Sequence, residues 1–195
     1  MPESFIEYFS QQLKSKPLLL NKGEMLFQQG DEVTHFFYIK TGKIKLFRNT
    51  IEGSTVVIYA AHSGETLAEP SLFSDKYHCS AVTESGTEVE SFRKPDLLKL
   101  FAQNPAAMQR LLFLLAQQVR ELRTLNEIKN IHSAKQRILA YIQSEVDNNK
   151  ELFFSLSLKD IAHKIGLAHE TFYRELKKLE QSKQITRYKR HIKLL

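Results

Sequence analysis

The stretch Leu158–Gln181, LKDIAHKIGLAHETFYRELKKLEQ, decides how the rest of the chain is read. Leu158, Ile161, Ala162 and Ile165 recur at helical spacing and predict a short helix with one apolar face. Gly166 follows, where a helix end favours a left-handed or close-approach residue. A second helix is expected from His169-Glu170-Thr171, with Phe172, Leu176 and Leu179 inward and Glu170, Tyr173, Arg174, Lys177 and Lys178 outward. A small residue in the first helix and a glycine in the turn let two helices cross closely, as in a helix-turn-helix. Arginine can fork onto guanine and glutamate can accept from cytosine in the major groove. An ordinary αα-hairpin satisfies the same pattern, so the flanks have to discriminate.

Downstream, Ile185-Thr186-Arg187-Tyr188, a basic Lys189-Arg190 turn and His191–Leu195 read as a two-stranded wing, completing a winged helix. Lys177, Lys183, Arg187, Lys189 and Arg190 are the candidate phosphate contacts, which set register without reading sequence. Charge placement agrees. From Ser133 onward there are 13 Lys/Arg against 7 Asp/Glu, whereas the first 132 residues carry 15 of each, so the whole net charge of +6 lies with the two-helix unit.

Upstream, Ser133 with Gln136 three residues on predicts a capping box before a helix carrying Ile138, Leu139, Ile142 and Val146. Asp147–Lys150 reads as a polar loop and Phe153–Leu158 as a short strand. Asn104-Pro105 opens the longest helix, expected to run to about Asn130 and to span about 40 Å. Its Leu112, Leu115, Val119 and Leu122 follow the spacing of a coiled-coil seam, with Leu125, Ile128 and His132 expected to continue it. A second copy covers such a stripe better than a barrel does, and a parallel homodimer is expected.

The first hundred residues have another period. Pro2–Lys14 reads as a short helix and Pro95–Phe101 as another. Between them FFYIK, KIKLFR, STVVIYA and TEVESF are separated by glycine turns at roughly 8–12-residue spacing, the pattern of an antiparallel barrel or jelly roll. The chain is thus expected to be α+β, with a sensor barrel over residues 1–103, a dimerisation helix and hinge over 104–132, and a winged helix-turn-helix over 133–195.

Cys79 is the single cysteine, which excludes an intrachain disulfide and a four-cysteine iron–sulfur cluster. No run of eighteen apolar residues exists and the first residues are not signal-like, so a soluble, cytoplasmic protein without membrane contact is expected.

Lys22-Gly23-Glu24…Phe27…Gly30-Asp31 in a first hairpin, Tyr38–Lys45 in the barrel and Glu170-Thr171-Phe172-Tyr173-Arg174 in the second helix resemble the Crp–Fnr superfamily of bacterial transcription regulators. The resemblance covers nearly the whole chain. It implies a homodimeric, sequence-specific regulator, usually an activator, that contacts RNA polymerase. The polar loop Asp147–Glu151 and barrel loops are the polymerase-facing candidates by position. Glu170 and Arg174 match the family's base-reading acid and arginine; His169 stands where cyclic-AMP-responsive members have a further arginine, and Tyr173 where many Fnr-type members have serine. The expected target is double-stranded DNA with an inverted repeat, its half-sites one turn or roughly 34 Å apart.

For the effector, the resemblance places Glu69 at the ribose-binding glutamate of cyclic-nucleotide binders, but Cys79 where their phosphate arginine belongs. A buried phosphate needs a fixed cation or helix-end amides, so cyclic AMP is not the expected ligand. Thr66–Phe73, ending in Tyr77-x-x-x-Ala81, is more similar to the dissimilatory nitrate-respiration branch, which implies haem in the barrel sensing nitric oxide under nitrosative stress. His78 and Cys79 are the candidate ligands, with His62 and His35 further candidates. A non-haem small molecule, or no effector, stays open beside it. The rival class is a cupin-like metal enzyme, which needs a clustered His-x-His with a nearby Glu. The sequence lacks one, and His62-Ser63-Gly64-Glu65 is its nearest approach. No catalytic residues are assigned.

Overall fold

The computed structural model describes residues 5–154, 156–189 and 191–195. The chain forms two compact units, Met1–Phe113 and Leu114–Leu195, so the division falls inside the long helix. The expected α+β architecture is present: a two-sheet β unit, a long helix, and a three-helix unit with a small sheet.

In the first unit, α1 (Phe5–Gln12) precedes β1 (Lys16–Leu20), β2 (Met25–Phe27), β3 (His35–Thr41), β4 (Lys43–Asn49), β5 (Thr55–His62) and β6 (Thr66–Leu67). A 3₁₀ turn at Glu69–Ser71 leads to β7 (Ser80–Thr83), β8 (Thr87–Arg93) and α2 (Lys94–Gln103). Two antiparallel four-stranded sheets result, ordered β1-β8-β3-β6 and β2-β7-β4-β5. Phe37, Ile39 and Val89 from one and Phe27, Ile44 and Ala81 from the other are buried in a common core with Leu67, Tyr77 and Cys79. Strand alternation supplies this: residues two apart share a face, and one face of each sheet is apolar.

β4 and β5 form a hairpin, but other strands adjacent in sequence change sheet. β1 pairs with β8 and β2 with β7, so Lys22–Asp31 joins two sheets and is not the hairpin expected from its glycines. The same holds at Thr41-Gly42-Lys43, where Gly42 adopts φ +102°. A Cβ on Gly42 would come within 2.7 Å of the Gly86 carbonyl oxygen and the Thr87 Cα, so only glycine fits this corner.

The long helix α3 runs Pro105–Asn130, as its proline start predicts. On it Leu112, Val119 and Leu122 are 57%, 46% and 64% exposed and Leu115 is half-buried. Leu125 and Ile128 depart from the expected seam: Ile128 is buried in the core of the second unit, Leu125 packs against that core, and His132 is exposed. The core of the second unit claims the last two turns, so the open apolar stripe ends at Leu122.

The second unit adds α4 (Ala134–Glu145), β9 (Glu151–Phe153), α5 (Leu158–Lys164), α6 (His169–Gln181), β10 (Ile185–Arg187) and β11 (His191–Leu194). In place of the expected two-stranded wing there is a three-stranded sheet, β10-β11-β9, because β9 also pairs with β11. β9 lies earlier than the expected Phe153–Leu158 strand because Asp147 accepts from the amides of Asn149 and Glu151 and turns the chain early, while Ser157 already caps α5. Ser133 accepts from the Gln136 amide at 3.4 Å, so its half of the capping box forms. Among the described residues no helix is long and apolar enough to cross a membrane.

Candidate nucleic-acid interface

The turn between α5 and α6 follows from Gly166, which sits at φ +69° while the Leu167 amide reaches back to the Ala162 carbonyl at 2.9 Å. Ala162 is fully buried beneath the crossing. α6 then lays Phe172, Leu176 and Leu179 into a core with Ile138, Ile142, Ile161, Ile165, Ile185 and Ile192. Each fully buried side chain of that size contributes about 1.5–3 kcal/mol, so the face of α6 that turns outward is fixed by the one that is buried.

That outward face carries His169, Glu170, Tyr173, Arg174 and Lys177, all exposed. The His169 ring tilts against Tyr173 with centroids 4.4 Å apart, one turn along the helix. Arg174 donates from Nε to Glu175 Oε1 at 3.3 Å, and Lys178 Nζ donates to the same oxygen at 2.8 Å. Lys178, then Arg174, hold the Glu175 carboxyl below the ordinary carboxylate range.

Among the phosphate candidates, Lys183, Arg187 and Lys189 are exposed; Arg190 lies outside the described residues. Lys183 is left-handed at φ +54°, and the Gln184 amide bonds back to the Leu179 carbonyl at 3.0 Å, the helix-end geometry glycine usually supplies. Arg187 Nη2 lies 3.6 Å from Glu180 Oε2. Where the chain turns from β10 to β11, the Tyr188 amide donates to the His191 carbonyl at 2.9 Å. A groove of about 540 Å³ opens beside it, lined by Ser157, Leu158, Arg187, Tyr188 and Lys189 among others.

Two residues of this unit escaped the sequence reading. Glu175 follows Arg174, the candidate base reader, and its Oε1 takes both Arg174 and Lys178; the i, i+3 spacing to Lys178 is the signal that could have found it. Arg137 on α4 donates to three backbone carbonyls: Ile131 from Nε (3.0 Å) and Nη2 (2.7 Å), and Ile165 (3.3 Å) and Gly166 (3.0 Å) from Nη1. No spacing in the sequence announces those partners.

The effector candidates do not form one cluster. Cys79 is 4% exposed in the barrel core, and burial pushes its thiol up, with Arg48 pulling the other way. His78, the next residue, is exposed, its Nδ1 2.6 Å from Ser71 Oγ. One side chain lies at the surface and the other is sealed in the core, so the structure does not bring the two to one site. Glu69 is buried and accepts from Thr66 Oγ1. His62 pairs with Lys43 on β4, whereas Ser80 pairs with Phe47, about 13 Å along the same strand; His62 therefore belongs to another end of the sheet. His35 is half-buried, with its Nδ1 2.9 Å from Thr34 Oγ1. The sequence reading also missed Arg48, whose Nε donates to the His78 carbonyl at 3.1 Å and whose charge reaches Cys79.

Residues 17–104 match the family described as the cyclic nucleotide-binding domain. The chain is 26% identical over 164 residues to the cyclic AMP receptor protein of Thermus thermophilus, covering 84% of this chain and 76% of that one. It is 23% identical over 183 residues to the transcriptional activator protein anr of Pseudomonas aeruginosa, covering 90% and 75% respectively. The structure of FixK2 from Bradyrhizobium japonicum shares the fold with a TM-score of 0.69 over 93% of each chain, at 16% identity.

Proposed function

We propose that this chain is a homodimeric, sequence-specific DNA-binding transcription regulator of the Crp–Fnr superfamily, acting as an activator through RNA polymerase. The observation that carries the proposal is the outward face of α6, where Glu170 and Arg174 stand exposed above a buried apolar face and beside the cations Lys177, Lys183, Arg187 and Lys189. Relatives named as a receptor protein and a transcriptional activator, matched along most of their length, support the same reading. The open stripe Leu112, Val119 and Leu122 on α3 is where a second copy docks, placing two α6 helices on successive turns of an inverted repeat. Footprinting on genomic fragments tests this: a paired footprint with two-fold symmetry is expected, and Arg174→Ala should cost about 1–3 kcal/mol at that site while sparing non-specific binding. Salt-insensitive indifference to DNA would sink it.

For the effector we propose haem that binds nitric oxide, held by His78. Ser71 engages its Nδ1 and leaves Nε2 as the ligand atom, the kind of partner that fixes a metal-binding imidazole. Cys79 fits poorly, since a buried thiol resists the deprotonation that ligation requires. Bound haem would supply the iron that takes up the gas, and the barrel would bias the reader helices between competent and incompetent states. Absorbance of haem-supplied protein, wild type against His78→Ala, decides it: no Soret band in the wild type removes the haem. A second reading, an anionic non-haem ligand, is favoured by the Arg48 guanidinium beside Cys79.

A further inference from the structure

We propose that Arg137 is a positioning residue that locks the direction of α6 to the end of α3; the proposal rests on the DNA-reading role given to α6. Its guanidinium bridges two backbone segments far apart in sequence. On one side stands the Ile131 carbonyl, just past α3, gripped by both Nε and Nη2. On the other stand Ile165 and Gly166, the turn from which α6 departs, gripped by Nη1. Carbonyls past the end of a helix lack intrahelical donors and carry the negative end of its dipole, so one cation between two such ends is stabilised by both.

Arginine suits this place and lysine does not. A planar fork with five N–H donors in fixed directions can hold two segments at a set angle, whereas an ammonium is a single rotatable point. The guanidinium packs directly beside the turn: a Cβ on Gly166 would meet Arg137 Nη1 at 3.6 Å and Lys129 Cγ at 3.7 Å, ordinary contact distances. Arg137 stands one residue before Ile138, which is fully buried among Ile142, Phe172 and Leu176, so its backbone is anchored by the core. Turning α6 against the last turn of α3 therefore breaks guanidinium–carbonyl bonds on one side or the other. In a dimer joined along α3, this bridge sets how far apart two reader helices stand, and with that the operator spacing the protein accepts.

The full chain with Arg137→Lys and Arg137→Gln tests this in two ways. By hydrogen–deuterium exchange, residues 129–133 and 163–168 should gain exchange together, by about threefold or more, while the segment around Phe172–Leu179 keeps its protection. Loss of protection throughout the unit, or in neither segment, would overturn the proposal. On duplexes whose half-site spacing is varied by one base pair, both variants should lose about fivefold of the wild-type spacing preference while affinity for an isolated half-site stays within about twofold. A spacing preference equal to wild type would reduce Arg137 to a structural contact and overturn the proposal. Failure of the wild type to bind DNA would instead overturn the DNA reading, and the exchange measurement would still decide the bridge.

Discussion

Arg174 and Glu175 are paired within α6: the arginine Nε lies 3.3 Å from the carboxylate oxygen that Lys178 also holds. Glu175 thus restrains the Arg174 fork, the proposed base reader, and neutralises charge beside it. Glu175→Gln should steepen the salt dependence of non-specific binding by about one phosphate contact and lower the cognate-to-random ratio about fivefold. Competition gel shifts at several salt concentrations measure both, and an unchanged ratio would remove Glu175 from specificity. Because the folded-state carboxyl is depressed, the pairing persists above the ordinary carboxylate value and is lost only as pH falls through its lowered one.

Lys183 gives up stability to place a cation. Its left-handed backbone at φ +54° costs an L-residue about 1–2 kcal/mol, and glycine relieves most of it. Lys183→Gly should therefore raise the midpoint of thermal unfolding by several degrees and weaken DNA binding with a shallower salt slope. Calorimetry and gel shifts on the same preparation check the two signs, and a fall in the midpoint would contradict the strain.

Gly42 has no such latitude. A methyl group there would enter the Gly86 carbonyl and the Thr87 backbone, neither of which can swing aside. Gly42→Ala should cost about 2–4 kcal/mol in the first unit. Urea unfolding followed by a probe in each unit should show the loss confined to the barrel.

His35 makes the barrel sensitive to mild acid. Burial, then the charges of Arg93 and Lys16, lower its pKa from the ordinary 6.5. The unfolded chain then binds the proton more readily than the folded one, so stability is full above pH 6.5 and declines as pH falls toward the lowered value. His35→Gln should flatten that slope in urea midpoints taken between pH 8 and about 5.5, and an identical slope would assign it elsewhere.

Leu122 is the most open residue of the α3 stripe, at 64% exposed. Leu122→Glu should weaken self-association at least tenfold, about 1.4 kcal/mol, without lowering helix content. Sedimentation at several concentrations measures it, and a variant that associates like wild type would place the copy-to-copy contact on another surface.

The sequence showed most clearly what local chemistry dictates. Asn104-Pro105 and Ser133 mark helix starts, and the stripe Phe172, Leu176, Leu179 sets the face of α6. Pairings between distant segments were not legible: β1 meets β8 some seventy residues later, and glycines that read as hairpin turns carry the chain between sheets. Leu125 and Ile128 continue the repeat of α3 in sequence, yet they join the core of the second unit, which no heptad pattern reveals. Arg137 and Arg48 were invisible for a related reason, since both spend their donors on backbone carbonyls, which have no letter in a sequence.

Cys79 is the chain's single sulfhydryl and is sealed inside the β unit. A thiol reagent can therefore report only when that interior opens, and it stays silent while the other unit breathes or docks. The molecule carries a native clock for one half of itself, readable without attaching any dye.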